Sequence, residues 1–134
     1  MADLHGKLTF QLGRLRQALA ALDEAVASDS GDKKSRDSIL LSFVFTFEMA
    51  WRSLKVALAV RGADAPDYAA GTLKSAFAAR LISDADLWMD LRDARNEVSR
   101  AYDQDKAIVI ASLVRQRALQ GFHGLLDRLQ RDDD

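Results

Sequence analysis

Apolar residues recur at steps of three and four along almost the whole chain, and that spacing is the period of an α-helix. Leu4, Leu8, Leu12, Leu15, Leu19, Leu22 and Val26 mark one buried face of a first helix. The segment 28–32, Ser-Asp-Ser-Gly-Asp, supplies turn residues that end it. A second helix is expected from about 33 to 61, with Gly62 as its stop. Pro66 suits the first turn of a third helix carrying Leu73, Ala76, Phe77 and Leu81. Ser83 and Asp86 resemble a capping box and open a fourth, with core face Leu87, Leu91, Ala94, Val98 and Ala101. Asp103 caps a fifth, from about 104 to 129, along Ile108, Ala111, Val114, Ala118, Phe122, Leu125 and Leu129. The polar end, 131–134, is expected to fray. No stretch has the two-residue period of a strand. The fold class is therefore all-α, an up-and-down antiparallel bundle of about five helices in a single domain over 1–134.

Composition removes several chemistries. The 134 residues include no cysteine, which excludes disulfides, thiolate catalysis and a cysteine-held metal. His5 and His123 stand near opposite ends of the chain and are expected at the surface or in helix packing, with no metal site. A net charge of −1 provides no overall positive field for nucleic acid. There is no phosphate-binding Gly-rich loop and no H-E-x-x-H, and no cofactor is expected. No apolar run reaches the ~20 residues of a membrane span. The first residues lack a basic segment followed by an apolar one, so the expected location is cytoplasmic.

Two helix faces exceed what one core needs. In the second helix Ile39, Phe43, Phe47, Ala50 and Leu54 share a broad face, while Leu41, Phe45 and Met49 form a separate stripe. The second stripe fits either a central helix wrapped by its own neighbours or a subunit interface. Glu48 and Arg52 beside it resemble an interface rim, and a homodimer through Leu41, Phe45 and Met49 is the expectation. In the fourth helix Trp88, Arg92, Arg95, Ser99 and Tyr102 share a face set roughly 100° from the core face. Two arginines, aromatics and a hydroxyl could recognise a phosphate or a base. Spacing alone favours a solvated face whose arginines pair with Asp84, Asp90 or Asp93. Between 83 and 105 seven acids accompany three arginines, a net of −4 that opposes tight, non-specific RNA binding.

Three blocks carry a family resemblance. They are Phe43-x-Phe45-Thr46-Phe47-Glu48-x-Ala50-Trp51, then Leu73-Lys74-x-Ala76-Phe77 continuing to Leu81, Asp84 and Trp88, then Arg95-Asn96-x-x-Ser99-Arg100-x-Tyr102. In order and spacing, from about 36 to 103, they resemble the nucleotidyltransferase substrate-binding proteins of the wider HEPN group. The resemblance implies a bundle similar to the C-terminal domain of kanamycin nucleotidyltransferase. It also implies a homodimer and a separate small nucleotidyltransferase as partner, with nucleotide or RNA as candidate ligands. The transferase signature, a Gly-Ser pair followed by paired aspartates, is missing, so this chain is not the transferase.

In related pairs the HEPN subunit is a ribonuclease toxin, and its partner adenylylates a tyrosine in an Arg-x4-His-x-Tyr motif. Arg95 and Tyr102 match that motif, but Arg100 stands at the histidine position. Histidine can exchange a proton near neutral pH; arginine stays protonated and cannot accept one. The resemblance thus implies a non-catalytic binding subunit with a degenerate motif. Arg95, Asn96, Ser99, Arg100 and Tyr102 would line the inherited site, with Glu48 and Arg52 as neighbours. Tyr102 is the candidate adenylylation acceptor, or else it merely packs at the helix end. The alternatives are an active ribonuclease toxin and a structural or regulatory homodimer with a vestigial site.

Overall fold

The computed structural model describes residues 3–100 and 103–133. Among them all regular structure is helical: α1 (Leu4–Ala27), α2 (Lys33–Val60), α3 (Ala69–Ala78), α4 (Ala85–Arg100), α5 (Gln104–Leu113) and α6 (Leu119–Asp133), with a π-helical turn (Val114–Ala118) joining α5 to α6. No described helix is long and apolar enough to cross a membrane.

The helices begin where short polar side chains meet free backbone N–H groups. Asp3 accepts from Gly6, Asp32 from Ser35, and Asp103 from Asp105 and Lys106. Hydrogen bonds from the Ser35 hydroxyl and then its N–H hold the Asp32 carboxyl below its ordinary value. α2 ends as expected at Gly62, whose φ of +79° lets Ala63 N–H reach Leu58 C=O and Gly62 N–H reach Ala59 C=O. α4 starts differently from expectation. Asp84, rather than Ser83, is its cap, accepting from Leu87 N–H at 3.0 Å. Pro66 lies before α3 instead of in its first turn. Its carbonyl accepts from the Thr72 hydroxyl at 2.8 Å, and its ring packs so close to Gly71 that a Cβ there would come 2.8 Å from Pro66 Cγ. Leu81 falls past the end of α3 but is buried, whereas Phe77 is exposed.

α2 is central, touching α1, α3, α4, α5 and α6. Thr46 of α2 faces Ala18 of α1, and Met49 faces Gln11, so the pair is antiparallel. Thr9 meets Asp133 and Asp23 meets His123, which makes α1 and α6 antiparallel as well. Ile39, Phe43, Phe47, Ala50 and Leu54 are all buried in one continuous core. Phe122 of α6 joins two walls of it, 6.2 Å from the Phe43 ring and 5.8 Å, edge-on, from Trp88 of α4. The buried hydroxyls of Thr46, Ser53 and Thr72 all donate to backbone carbonyls, so none is left unmatched.

The long C-terminal helix is not the uninterrupted one that its pattern suggested. Ile110, Val114, Ala118 and Phe122 are all buried at steps of four. At about 100° per residue, three such steps would carry Phe122 about 120° round a straight α-helix from Ile110. The wider π turn, closed by Leu119 N–H to Val114 C=O, takes up that excess. Ile108, expected in the core, is exposed, and Ala107 and Ile110 are buried in its place.

The end expected to fray is helical through Asp133. Asp132 receives Nη2 of Arg61, the residue that caps the end of α2, at 2.7 Å and Arg128 from its own helix. Partial burial raises the Asp132 carboxyl pKa, but the two arginines outweigh this and hold it below the ordinary 3.8. A depressed folded-state pKa stabilises above the unfolded value and ceases to do so as pH falls through the folded one. Asp132→Asn should therefore lower stability at pH ~7, and the gap from wild type should close by pH ~2–3. Urea unfolding at the two pH values checks this; an equal gap at both would contradict it.

Candidate functional site

Mid-way along α2, Phe47, Glu48, Trp51 and Arg52 occupy neighbouring turns. Glu48 stands three residues before Trp51 and four before Arg52, the spacings that bring helix side chains together. Its Oε2 accepts from Trp51 Nε1 at 3.1 Å and lies 3.6 Å from Arg52 Nε. From α4, Arg95 brings Nη1 to 3.2 Å from Glu48 Oε1. One carboxylate thus joins two guanidiniums and an indole N–H. Each guanidinium also lies over an aromatic ring, Arg95 at 5.4 Å from the Phe47 centroid and Arg52 at 5.0 Å from that of Trp51. Arg95 Nε is buried without a hydrogen-bond acceptor.

Beside this cluster is an open depression of about 330 Å³, lined by Gln11 and Arg14 of α1 and by Phe45, Glu48, Met49 and Arg52 of α2. Arg14, Arg52 and Arg95 against Glu48 leave a cationic surround that suits an anionic group. No imidazole is part of it.

Of the residues singled out in the sequence, the structure brings Glu48, Arg52 and Arg95 together and sets others apart. Arg100 is 76% exposed in its side chain and approaches Glu97 at 3.7 Å. Glu97 also takes Lys106 at 3.1 Å. Ser99 is exposed and donates its hydroxyl back to Arg95 C=O. Asn96 is half-buried. Tyr102 lies outside the described residues. Arg92 pairs with Asp93 at 2.7 Å, as the solvated-face alternative anticipated. Trp88, placed on this face by spacing, is instead a core residue. It stands only about 60° round the helix from Leu91, and its large ring turns inward onto Phe122.

The interface stripe also divides. Leu41 is 74% exposed and Phe45 51% exposed, but Met49 is buried within the chain, its sulfur 3.6 Å from Gln11 Nε2. Met49 is therefore not a free contact residue, because α1 already covers it. Sequence spacing missed Phe47 and Trp51 as supports for the guanidiniums. Nothing in it signalled Gln11 or Arg14, which are close only because α1 packs on α2.

Residues 10–131 match the family model described as nucleotidyltransferase substrate binding protein like. The chain belongs to this family. No curated protein matches its sequence. The fold is similar to a crystal structure from Thermus thermophilus, with TM-score 0.72 and 24% identity over 89% of this chain and 98% of that one. It is also similar to the tri-AMPylated Shewanella oneidensis HEPN toxin solved with its MNT antitoxin, with TM-score 0.77, 15% identity, and 98% and 99% of the two chains covered. A mutant MntA–HpeT toxin–antitoxin structure gives TM-score 0.76 and 15% identity over 97% and 99%. These likenesses establish a HEPN-like helical bundle.

Glu48 holds this family member's arginine cluster together. Glu48→Ala should cost about 1–3 kcal/mol by leaving partly buried donors without their acceptor. A Glu48→Ala, Arg95→Ala double-mutant cycle should give a coupling of about 1 kcal/mol. Additive losses in urea unfolding would show that the 3.2 Å contact does not form in solution.

Proposed function

We propose that this chain is the non-catalytic, substrate-binding subunit of a two-component minimal nucleotidyltransferase, working in the cytoplasm as a homodimer beside a separate transferase. Membership of the substrate-binding family and a fold like that of a HEPN toxin solved with its MNT antitoxin support the assembly. The observation that carries the non-catalytic reading is Arg100. At the motif position where an imidazole would move a proton, the chain has a guanidinium that is exposed and turned toward Glu97, apart from the Glu48–Arg95 cluster. A guanidinium can hold a phosphate, but it cannot take the proton of a 2′-hydroxyl. Arg52 and Arg95, with Arg14 nearby, then act as anchors for an anionic substrate group. The partner supplies the chemistry.

A ribonuclease toxin is the second reading, favoured by the likeness of the fold to two toxin–antitoxin structures. RNA incubation separates the two. The purified chain should leave RNA intact, and Arg100→His should introduce slow cleavage that a further Arg95→Ala removes. Rapid cleavage by wild type, lost in Arg95→Ala, would establish the toxin reading instead.

Leu41 and Phe45 are the large apolar residues of α2 that its own chain leaves uncovered, and they serve as the dimer contact. Covering them removes apolar surface from water at ~25 cal/mol per Å². Phe45→Glu should keep the helical spectrum and halve the mass seen by light scattering. A wild type that is monomeric at tens of micromolar ends this part of the proposal.

A further inference from the structure

At the N-terminal end of α4, away from the arginine cluster, the turn after α3 and the middle of α6 enclose a cleft of about 430 Å³. That volume falls in the range of small-molecule sites, ~300–1,000 Å³. Leu87, Trp88 and Leu125, all in the core, form its apolar wall.

Two glycines of α6 line it, for different reasons. A Cβ on Gly121 would come 2.9 Å from Leu87 Cδ2, so this glycine lets α6 approach α4. A Cβ on Gly124 would meet nothing within 4 Å. The packing of the chain does not require that glycine, whose missing side chain keeps the cleft open. Arg80, at the rim, adopts φ +62°, the left-handed region that favours glycine. Its guanidinium has no carboxylate partner among the described residues. Arg128 lines the cleft too, already paired with Asp132. One acid, Asp84, is present, but its carboxylate is engaged in capping α4. Two residues unfavourable for their local backbone, Gly124 in a helix and Arg80 in a left-handed turn, therefore line the same cleft. Such local departures concentrate at functional sites.

We infer that this cleft binds a small aromatic anion, independently of the arginine cluster on α2 and α4. The ring occupies the space above Gly124, against Leu87, Trp88 and Leu125. The anionic group faces Arg80 and Arg128, where charge-assisted hydrogen bonds are available.

The intact chain titrated with anilinonaphthalene sulfonate, an aromatic body with one negative charge, tests this by fluorescence and calorimetry. Saturable one-to-one binding is expected, with uncharged anilinonaphthalene bound about ten-fold more weakly. Gly124→Leu should fill the cleft and abolish binding while raising Tm by a few degrees, since leucine outranks glycine in a helix. Arg80→Gly should relieve the left-handed backbone, again raising Tm, and weaken the sulfonate about ten-fold. Gly13→Leu on α1, where a Cβ also meets nothing within 4 Å, should leave binding unchanged. The inference is overturned by non-saturable binding, by equal affinity for the uncharged compound, by undiminished binding in Gly124→Leu or Arg80→Gly, or by loss in Gly13→Leu.

Discussion

A helix apolar round most of its circumference cannot remain at the surface of a small protein, and α2 is such a helix. Its buried residues run from Ile39 to Leu58 and point in several directions. The other helices are arranged to cover it. α1 lies along one side and packs on Met49, α6 meets Phe43 through Phe122, α4 meets Phe47 through Arg95, and α5 also packs on α2. Phe122 fixes the arrangement because its ring meets both Phe43 and Trp88. Truncating a side chain so placed would remove contacts to two helices, a loss of the ~3–5 kcal/mol size. The cover is least complete where Leu41 and Phe45 emerge, so the same property that organises the monomer also leaves it a sticky face.

The candidate site is a by-product of that packing. Glu48 projects from the edge of α2 where α4 crosses, and crossing there brings Arg95 within reach. Phe47, wholly buried in the core, has the Arg95 guanidinium over its ring. Cation and core are therefore coupled: a shift of α4 along α2 would separate Arg95 from both its acid and its ring.

Much of this was legible from residue order. Periodicity located the helices, Asp103 and Gly62 marked two of their ends, and the Phe43–Trp51 block pointed to the family. Glu48, Arg52 and Arg95 were visible as a set only through the resemblance, since spacing within one helix says nothing about contacts between two. Other features escaped for definite reasons. Trp88 reads as a surface residue by angle, but an indole is large enough to reach the core from the edge of the buried arc. Asp84 rather than Ser83 caps α4 because Leu87 carries the free N–H that a carboxylate three residues earlier can reach. The polar end looked ready to fray because Arg61, its anchor to Asp132, lies 71 residues away in the chain. Met49 is covered where Gln11 of α1 reaches its sulfur, whereas Phe45, one turn earlier, stays half exposed, a difference that spacing within α2 does not reveal.

The π turn between α5 and α6 has a consequence for descent as well as for shape. It holds one residue more than an ordinary helical turn, and that surplus keeps Phe122 in phase with Ile110. Straightening the turn with every residue kept would set Phe122 about 120° from Ile110 and out of the core, whereas removing one residue from 114–118 would leave a regular helix with Phe122 still only about 20° from Ile110. Loss of that one surplus residue is thus the length change that keeps the core in register, and loss of a second would rotate the last helix by about 100°. A relative whose last helix runs straight must have repositioned its buried residues by one, and would align with this chain only by opening a single gap at the wide turn.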